Sequence, residues 1–144
     1  MFSKEESKQL RQHFWTSFGK SFPRKWILYN TKIKGLSLKF HFDIRKAIVS
    51  LDVDLEDIEK RINLWEKLQG LRNILKSEFL PGVIFDDSYL LDNKKEISRI
   101  YVIKSDVSIH DKSSWQETMQ FFNENMKALE QFFETYKEII DSQD

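Results

Sequence analysis

The chain contains no cysteine. That removes disulfides, thiolate nucleophiles and cysteine-based zinc sites from consideration, and it fits a reducing compartment. Proline and glycine are scarce, two and four in 144 residues, which argues against long linkers and disordered tracts. No apolar run approaches the ~20 residues that span a bilayer. The opening Met1-Phe2-Ser3-Lys4-Glu5-Glu6 lacks the apolar core of a signal peptide. The expectation is a soluble, cytoplasmic protein that makes no use of a membrane. A Gly-rich phosphate loop, a serine nucleophile elbow and an HExxH sequence are also missing. His13, His41 and His110 show no metal-ligand spacing. No catalytic residue, metal or cofactor is therefore expected.

Aromatics are plentiful, with twelve Phe and four Trp. A chain of this length buries roughly two-thirds of its unfolded surface, so one domain over residues 1–144 can build its own core. The zero formal net charge conceals a polarised chain. Residues 1–50 hold 11 Lys and Arg against 3 Asp and Glu, a net of +8, and residues 51–144 carry the compensating −8. Such asymmetry produces either a basic face for an anionic partner or two faces that neutralise each other.

The last long run organises the rest. Trp115, Met119, Phe122, Met126, Leu129, Phe133, Tyr136 and Ile140 repeat in steps of four and three, a heptad seam widened by Phe121, Phe132 and Ile139. Ser114 and Glu117 read as its capping box. As a core stripe this helix covers a sheet, and as an interface it supports a homo-oligomer; the core use is favoured, because a small sheet needs that cover. Ser3 and Glu6 form another capping box for a helix carrying Leu10, Phe14 and Phe18, which Gly19 suits as a stop. Lys25 to Thr31 is rich in β-formers and predicts a strand. Leu36 to Phe42 and Ala47 to Val53 alternate apolar and polar residues, an antiparallel hairpin. Asp52 or Asp54 can cap the next helix, whose apolar face is Ile58, Ile62, Trp65, Leu68, Leu71 and Leu75, with Gly70 marking a kink or close contact. Val83 to Leu91 and Ile97 to Ile103 predict two more strands around the turn Asp92 to Lys95. The sum is a two-layer α+β domain, an antiparallel sheet of about five strands under three helices, in the order α-β-β-β-α-β-β-α.

Arg11-x-x-Phe14-Trp15-x-x-Phe18, the segment beginning at Trp26, Ala47 to Leu51, and Trp115-x-x-x-Met119 with its Phe-rich helix carry a resemblance. Over nearly the whole chain the sequence resembles a bacterial family, the domain of unknown function 4268. In longer relatives a similar domain follows a restriction-endonuclease-like nuclease domain. The resemblance implies an association with nucleic-acid metabolism or defence.

Three functional readings follow. The first is a non-enzymatic interaction domain with a protein partner not yet identified. The second is direct DNA or RNA binding. Lys20, Arg24, Lys25, Lys32, Lys34, Lys39, Arg45 and Lys46 surround the first strands, interleaved with Trp26, Tyr29 and His41. Phosphate-neutralising cations beside stacking platforms are what such binding requires; Lys25, Trp26, Lys32, Lys34, Lys39, His41 and Arg45 are its candidates. Overall neutrality weighs against it, since those cations can pair with the acidic second half while Trp26 enters the core. The third is a metal-dependent nuclease using Asp86, Asp92 and Lys94, because carboxylates hold a divalent ion and lysine stabilises developing charge. Asp92-Asn93-Lys94 is also ordinary turn chemistry.

Overall fold

The computed structural model describes residues 2–142. It is an α+β arrangement: a four-stranded antiparallel sheet with helices packed on one face. The order is α1 (Lys4–Ser21), β1 (Leu36–Phe42), β2 (Lys46–Val53), α2 (Ile58–Gly70), α3 (Arg72–Ile74), β3 (Ile84–Leu90), β4 (Glu96–Ser105) and α4 (Trp115–Ile140). Among the described residues, four strands rather than about five, and four helices rather than three, are the departures from the expected pattern.

Both hairpins form where alternation places them. The sheet runs β1-β2-β4-β3, with β2 and β4 paired at its centre. Leu38 faces Leu51, and Leu51 faces Ile100, so the apolar positions of neighbouring strands share one face. α4 lies across that face. Phe122, Met126, Leu129, Phe132 and Phe133 are buried in one cluster with Leu38, Val49, Leu51 and Ile100. α1 adds Phe14 and Phe18 to the same cluster.

The missing strand is the segment Lys25 to Thr31, which lies in an irregular loop over residues 22–35. Leu28 and Lys32 have positive φ values of 47° and 65°, a left-handed geometry no strand sustains. Tertiary contacts impose it. Glu130 of α4, 2% exposed, accepts a hydrogen bond from the Ile27 amide at 2.6 Å and from Arg24 Nη2 at 2.9 Å. Replacing Glu130 by Ala removes both acceptors and should cost about 2–3 kcal/mol, the scale of hydrogen bonds to charge. Glu130→Gln, which keeps one acceptor, should lose less. Urea unfolding measures the stability, and faster hydrogen exchange at the Ile27 amide reports release of the loop. The loop closes through a turn over Lys32-Ile33-Lys34-Gly35. Gly35 has φ +81°, and a Cβ there would run into the Leu55 side chain.

The helix ends also differ in detail from the expected ones. The Ser3–Glu6 capping box is present, but Gly19 is an ordinary helical residue and α1 continues to Ser21. Asp57, not Asp52 or Asp54, caps α2, accepting from the Glu59 and Lys60 amides; Asp52 is fully buried in β2 and Asp54 pairs with Lys95. Ser114 does not cap α4. Its hydroxyl instead donates to the Ser108 and Asp111 carbonyls, within a short 3₁₀ turn over Lys112–Ser114 that Asp111 caps.

α2 is rotated relative to its apolar pattern, leaving Ile58 and Ile62 exposed. Buried Arg61 sets that rotation: its Nε donates to Ser98 Oγ at 2.9 Å, and its Nη2 reaches the Asp87 carbonyl and Glu96. After Gly70 the helix breaks. A Cβ at Gly70 would meet no atom within 4 Å, so this glycine marks the break rather than a close contact. A π-helical turn over Leu75–Phe79 follows α3.

Candidate interaction surface

Among the described residues, no helix packs on the second face of the sheet. Its residues follow from strand parity: Ser37, Lys39 and His41 on β1; Lys46, Ile48, Ser50 and Asp52 on β2; Ile97, Arg99, Tyr101 and Ile103 on β4. Lys39 and His41 therefore share this face. At its centre lies a buried ion pair. Arg99 donates through Nε to Asp52 Oδ1 and through Nη2 to Oδ2, both at 2.8 Å, a bidentate geometry. Asp52 is 0% exposed and Arg99 6%. Lys39 Nζ approaches the same carboxylate at 3.6 Å.

The β3–β4 hairpin covers this pair. β3 carries an irregularity between Asp86 and Tyr89, and such a shift bends a strand. Tyr89 consequently lies over the Arg99 guanidinium at 4.4 Å and meets Tyr101 edge-on at 5.5 Å. Tyr89, Leu91 and Asp92 close a cavity of about 90 Å³ against His41, Lys46, Ile48 and Arg99. Ile48 and Ile97 are each 1% exposed yet stand outside the main core cluster. Ile48 lines the cavity under the hairpin, and Ile97 stands opposite Tyr89 in the β3–β4 register. Burial alone would lower the Arg99 pKa, but the bonds and charge of Asp52, with Tyr89 adding, hold it above its ordinary value. Burial raises the Tyr101 hydroxyl, and Tyr89 and Asp86 push it further.

At the tight β1–β2 turn, Asp43 organises its neighbours. It takes His41 Nε2 at 2.7 Å, the Arg45 and Lys46 amides, and Lys46 Nζ at 3.8 Å. Burial would raise its pKa, but the His41 bond and the two amides together lower it. A depressed carboxylate stabilises the fold above its ordinary value, and that contribution is lost as pH falls through the lowered one.

The basic candidates therefore divide. Arg24 is paired with Glu130, Lys39 with Asp52, and His41 and Lys46 with Asp43. Trp26 stacks on Phe18 with 5° between the rings and meets Phe40 edge-on, while Arg24 lies over it at 4.9 Å. Lys25, Lys32, Lys34 and Arg45 are exposed and have no carboxylate partner among the described residues. Lys34 nonetheless shares a surface depression with Asp54, Glu56 and Asp57. Arg45 occupies the hairpin turn at the far end of β1 from Lys32 and Lys34. Asp86 stands opposite Arg99 in the register, and Asp92 and Lys94 are exposed in the turn between β3 and β4. Among the described residues, no three His, Cys, Asp or Glu side chains converge in a way that could hold a metal ion.

A second feature escapes sequence reasoning. In the β1–β2 ladder the odd-numbered residues of β1 bond to β2, as Asp43 to Lys46 and Gly35 to Asp54 show at its ends. The even residues point their backbone groups outward. The Leu38 amide finds the Leu28 carbonyl, and the Asp43 carbonyl takes the Ile109 amide. Between these two closures, the amides and carbonyls of Phe40 and Phe42 have no protein partner among the described residues. A groove of about 490 Å³ runs beside this free edge, between β1, α1 and the loop at Ile109–His110. Alternation predicted the hairpin, but which strand would stand at an edge depends on the order of the whole sheet.

No helix of the described residues is long and apolar enough to cross a membrane. No curated protein and no solved structure matches the chain. A family model matches residues 10–137, and the chain belongs to that family, the Domain of unknown function (DUF4268).

Proposed function

We propose that this chain is a non-enzymatic, cytoplasmic interaction domain whose partner is a protein, working alongside nucleic-acid metabolism or defence. The observation that carries the reading is the pairing of part of the basic half, which leaves Lys25, Lys32, Lys34 and Arg45 unpaired among the described residues but dispersed over the loop and the far hairpin turn. The central cations of that half, Arg24 and Lys39, are held by Glu130 and Asp52 of the acidic half, and Trp26 is packed against Phe18 and Phe40. Cations already bonded to carboxylates release few counterions when a polyanion approaches, and counterion release supplies most of the affinity in non-specific nucleic-acid binding.

The competing reading, direct binding of single strands, has one observation in its favour. Tyr29 is 73% exposed, Lys39 Nζ lies 5.7 Å from its ring, and Lys25, Lys32 and Lys34 stand in the same loop region. An exposed ring beside cations is a stacking platform. Labelled DNA and RNA, single- and double-stranded, titrated from low to physiological salt, separate the two. The interaction-domain reading expects no measurable binding at physiological salt. Retained affinity that falls steeply with salt, and weakens on Lys32→Glu or Lys34→Glu, would overturn it.

A further inference from the structure

We infer that β1 is the docking edge, and that its occupant is an extended segment of the partner protein, alternately apolar and acidic, which adds to the sheet as a fifth strand. The inference rests on the interaction-domain reading and specifies its mode. Strand addition needs an edge with unpaired backbone groups and room beside it. Here the Leu38 carbonyl and the amides and carbonyls of Phe40 and Phe42 face outward, bounded by Leu28 at one end and Ile109 at the other. The groove beside them supplies the room.

Side-chain parity fixes the chemistry of the occupant. Partner residues opposite Phe40 and Phe42 would point toward the helical side of the sheet, where Trp15, Phe40, Phe42 and Ile44 line the groove. Apolar side chains fit there. Partner residues opposite Lys39 and His41 would point to the other face, where those two side chains lie. Arg11, exposed on α1 at the groove wall on the helical side, has no carboxylate partner among the described residues and adds to the positive field around the edge without contacting the second set of positions. Asp43, the one acidic residue lining the groove among the described residues, is occupied by His41, Lys46 and two amides. On the Lys39 face, Lys39, Arg99 and Lys46 share only two carboxylates among the described residues, Asp52 and Asp43, so that face keeps a net positive charge which acidic side chains complement.

The test uses a labelled decapeptide of alternating Val and Glu, followed by fluorescence anisotropy and by hydrogen exchange of the protein amides. Saturable binding is expected, at least about tenfold tighter than that of an alternating Val and Lys peptide. Protection should appear at the Phe40 and Phe42 amides. N-methylating the peptide amides at every second residue should abolish binding in one register and leave it intact in the other, because only one set faces β1. Arg11→Glu, at an exposed helical position, should weaken binding while leaving the circular dichroism unchanged. Absence of binding at millimolar peptide, protection confined to other amides, or indifference to both methylation registers would overturn the docking edge. Those results would leave the interaction-domain reading standing, since that reading falls only on nucleic-acid binding at physiological salt.

Discussion

Phe122→Ala should lower the stability of the fold by about 4 kcal/mol, the upper part of the range for emptying a buried aromatic site. Phe122 is fully buried and sits among the rings of Phe14, Trp15, Phe18, Phe40 and Phe42, with centroids between 4.9 and 6.3 Å away. These rings come from α1 and β1, so this one side chain joins α4 to both. Truncation removes the transfer free energy of the ring and leaves a cavity that neighbouring rings, themselves interlocked, close only in part. At roughly 4 °C per kcal/mol for a chain of this size, the midpoint of thermal unfolding should fall by ~15 °C. Phe122→Leu, which refills most of the volume, should recover more than half of that loss. A loss below about 1 kcal/mol for the alanine variant would mean that α1 does not pack on α4 as described.

Asp52→Ala should cost about 3–5 kcal/mol, for a different reason. The substitution strands the Arg99 guanidinium, 6% exposed under Tyr89, without its bidentate partner. An uncompensated buried charge is far more expensive than the net worth of the pair that contained it. Two further variants separate that cost from simple loss of packing. Asp52→Asn keeps the shape and one acceptor for Arg99 and should fall between wild type and alanine. Asp52→Leu combined with Arg99→Met removes both charges and should return to within ~1.5 kcal/mol of wild type. Additive single effects in that double variant would show that the pair is solvated.

The sequence showed most clearly what repeats with a single period. The heptad steps of α4, the alternation of β1 and β2, and the polar turn between β3 and β4 each depend on neighbours in the chain, and each is found in its expected place. Lys25 to Thr31 failed for the opposite reason. Trp26, Ile27, Leu28 and Tyr29 are locally good strand residues, but a carboxylate on α4, more than a hundred residues away, fixes their backbone as a loop. Glu130 did leave a faint signal, as a charged residue between Met126 and Phe133 on the buried stripe. Arg61 left a similar one, beside Leu64 and Trp65. A polar residue inside an apolar arc is either exposed or bonded, and only the fold says which.

The face of the sheet followed the same division. Strand parity puts Lys39 and His41 on the polar side, and Asp52, expected as a possible helix cap, stands on that side too. Parity gave no warning that the β3–β4 hairpin would bend over Asp52 and Arg99 and bury them. The free edge of β1 was hidden for a related reason. Strand order β1-β2-β4-β3 is a property of the assembled sheet, and the hairpin pattern is compatible with β1 at the centre or at the margin.

The most direct test is one NMR titration of ¹⁵N-labelled protein at physiological salt, first with a single-stranded oligonucleotide and then with the Val and Glu decapeptide. The oligonucleotide should leave the amides of Lys25, Lys32, Lys34 and Lys39 unmoved. The peptide should shift Phe40, Phe42 and the Arg11 side chain and little else. Shifts caused by the oligonucleotide along the 22–35 loop, with β1 silent to the peptide, would contradict the account and make the basic half a nucleic-acid surface.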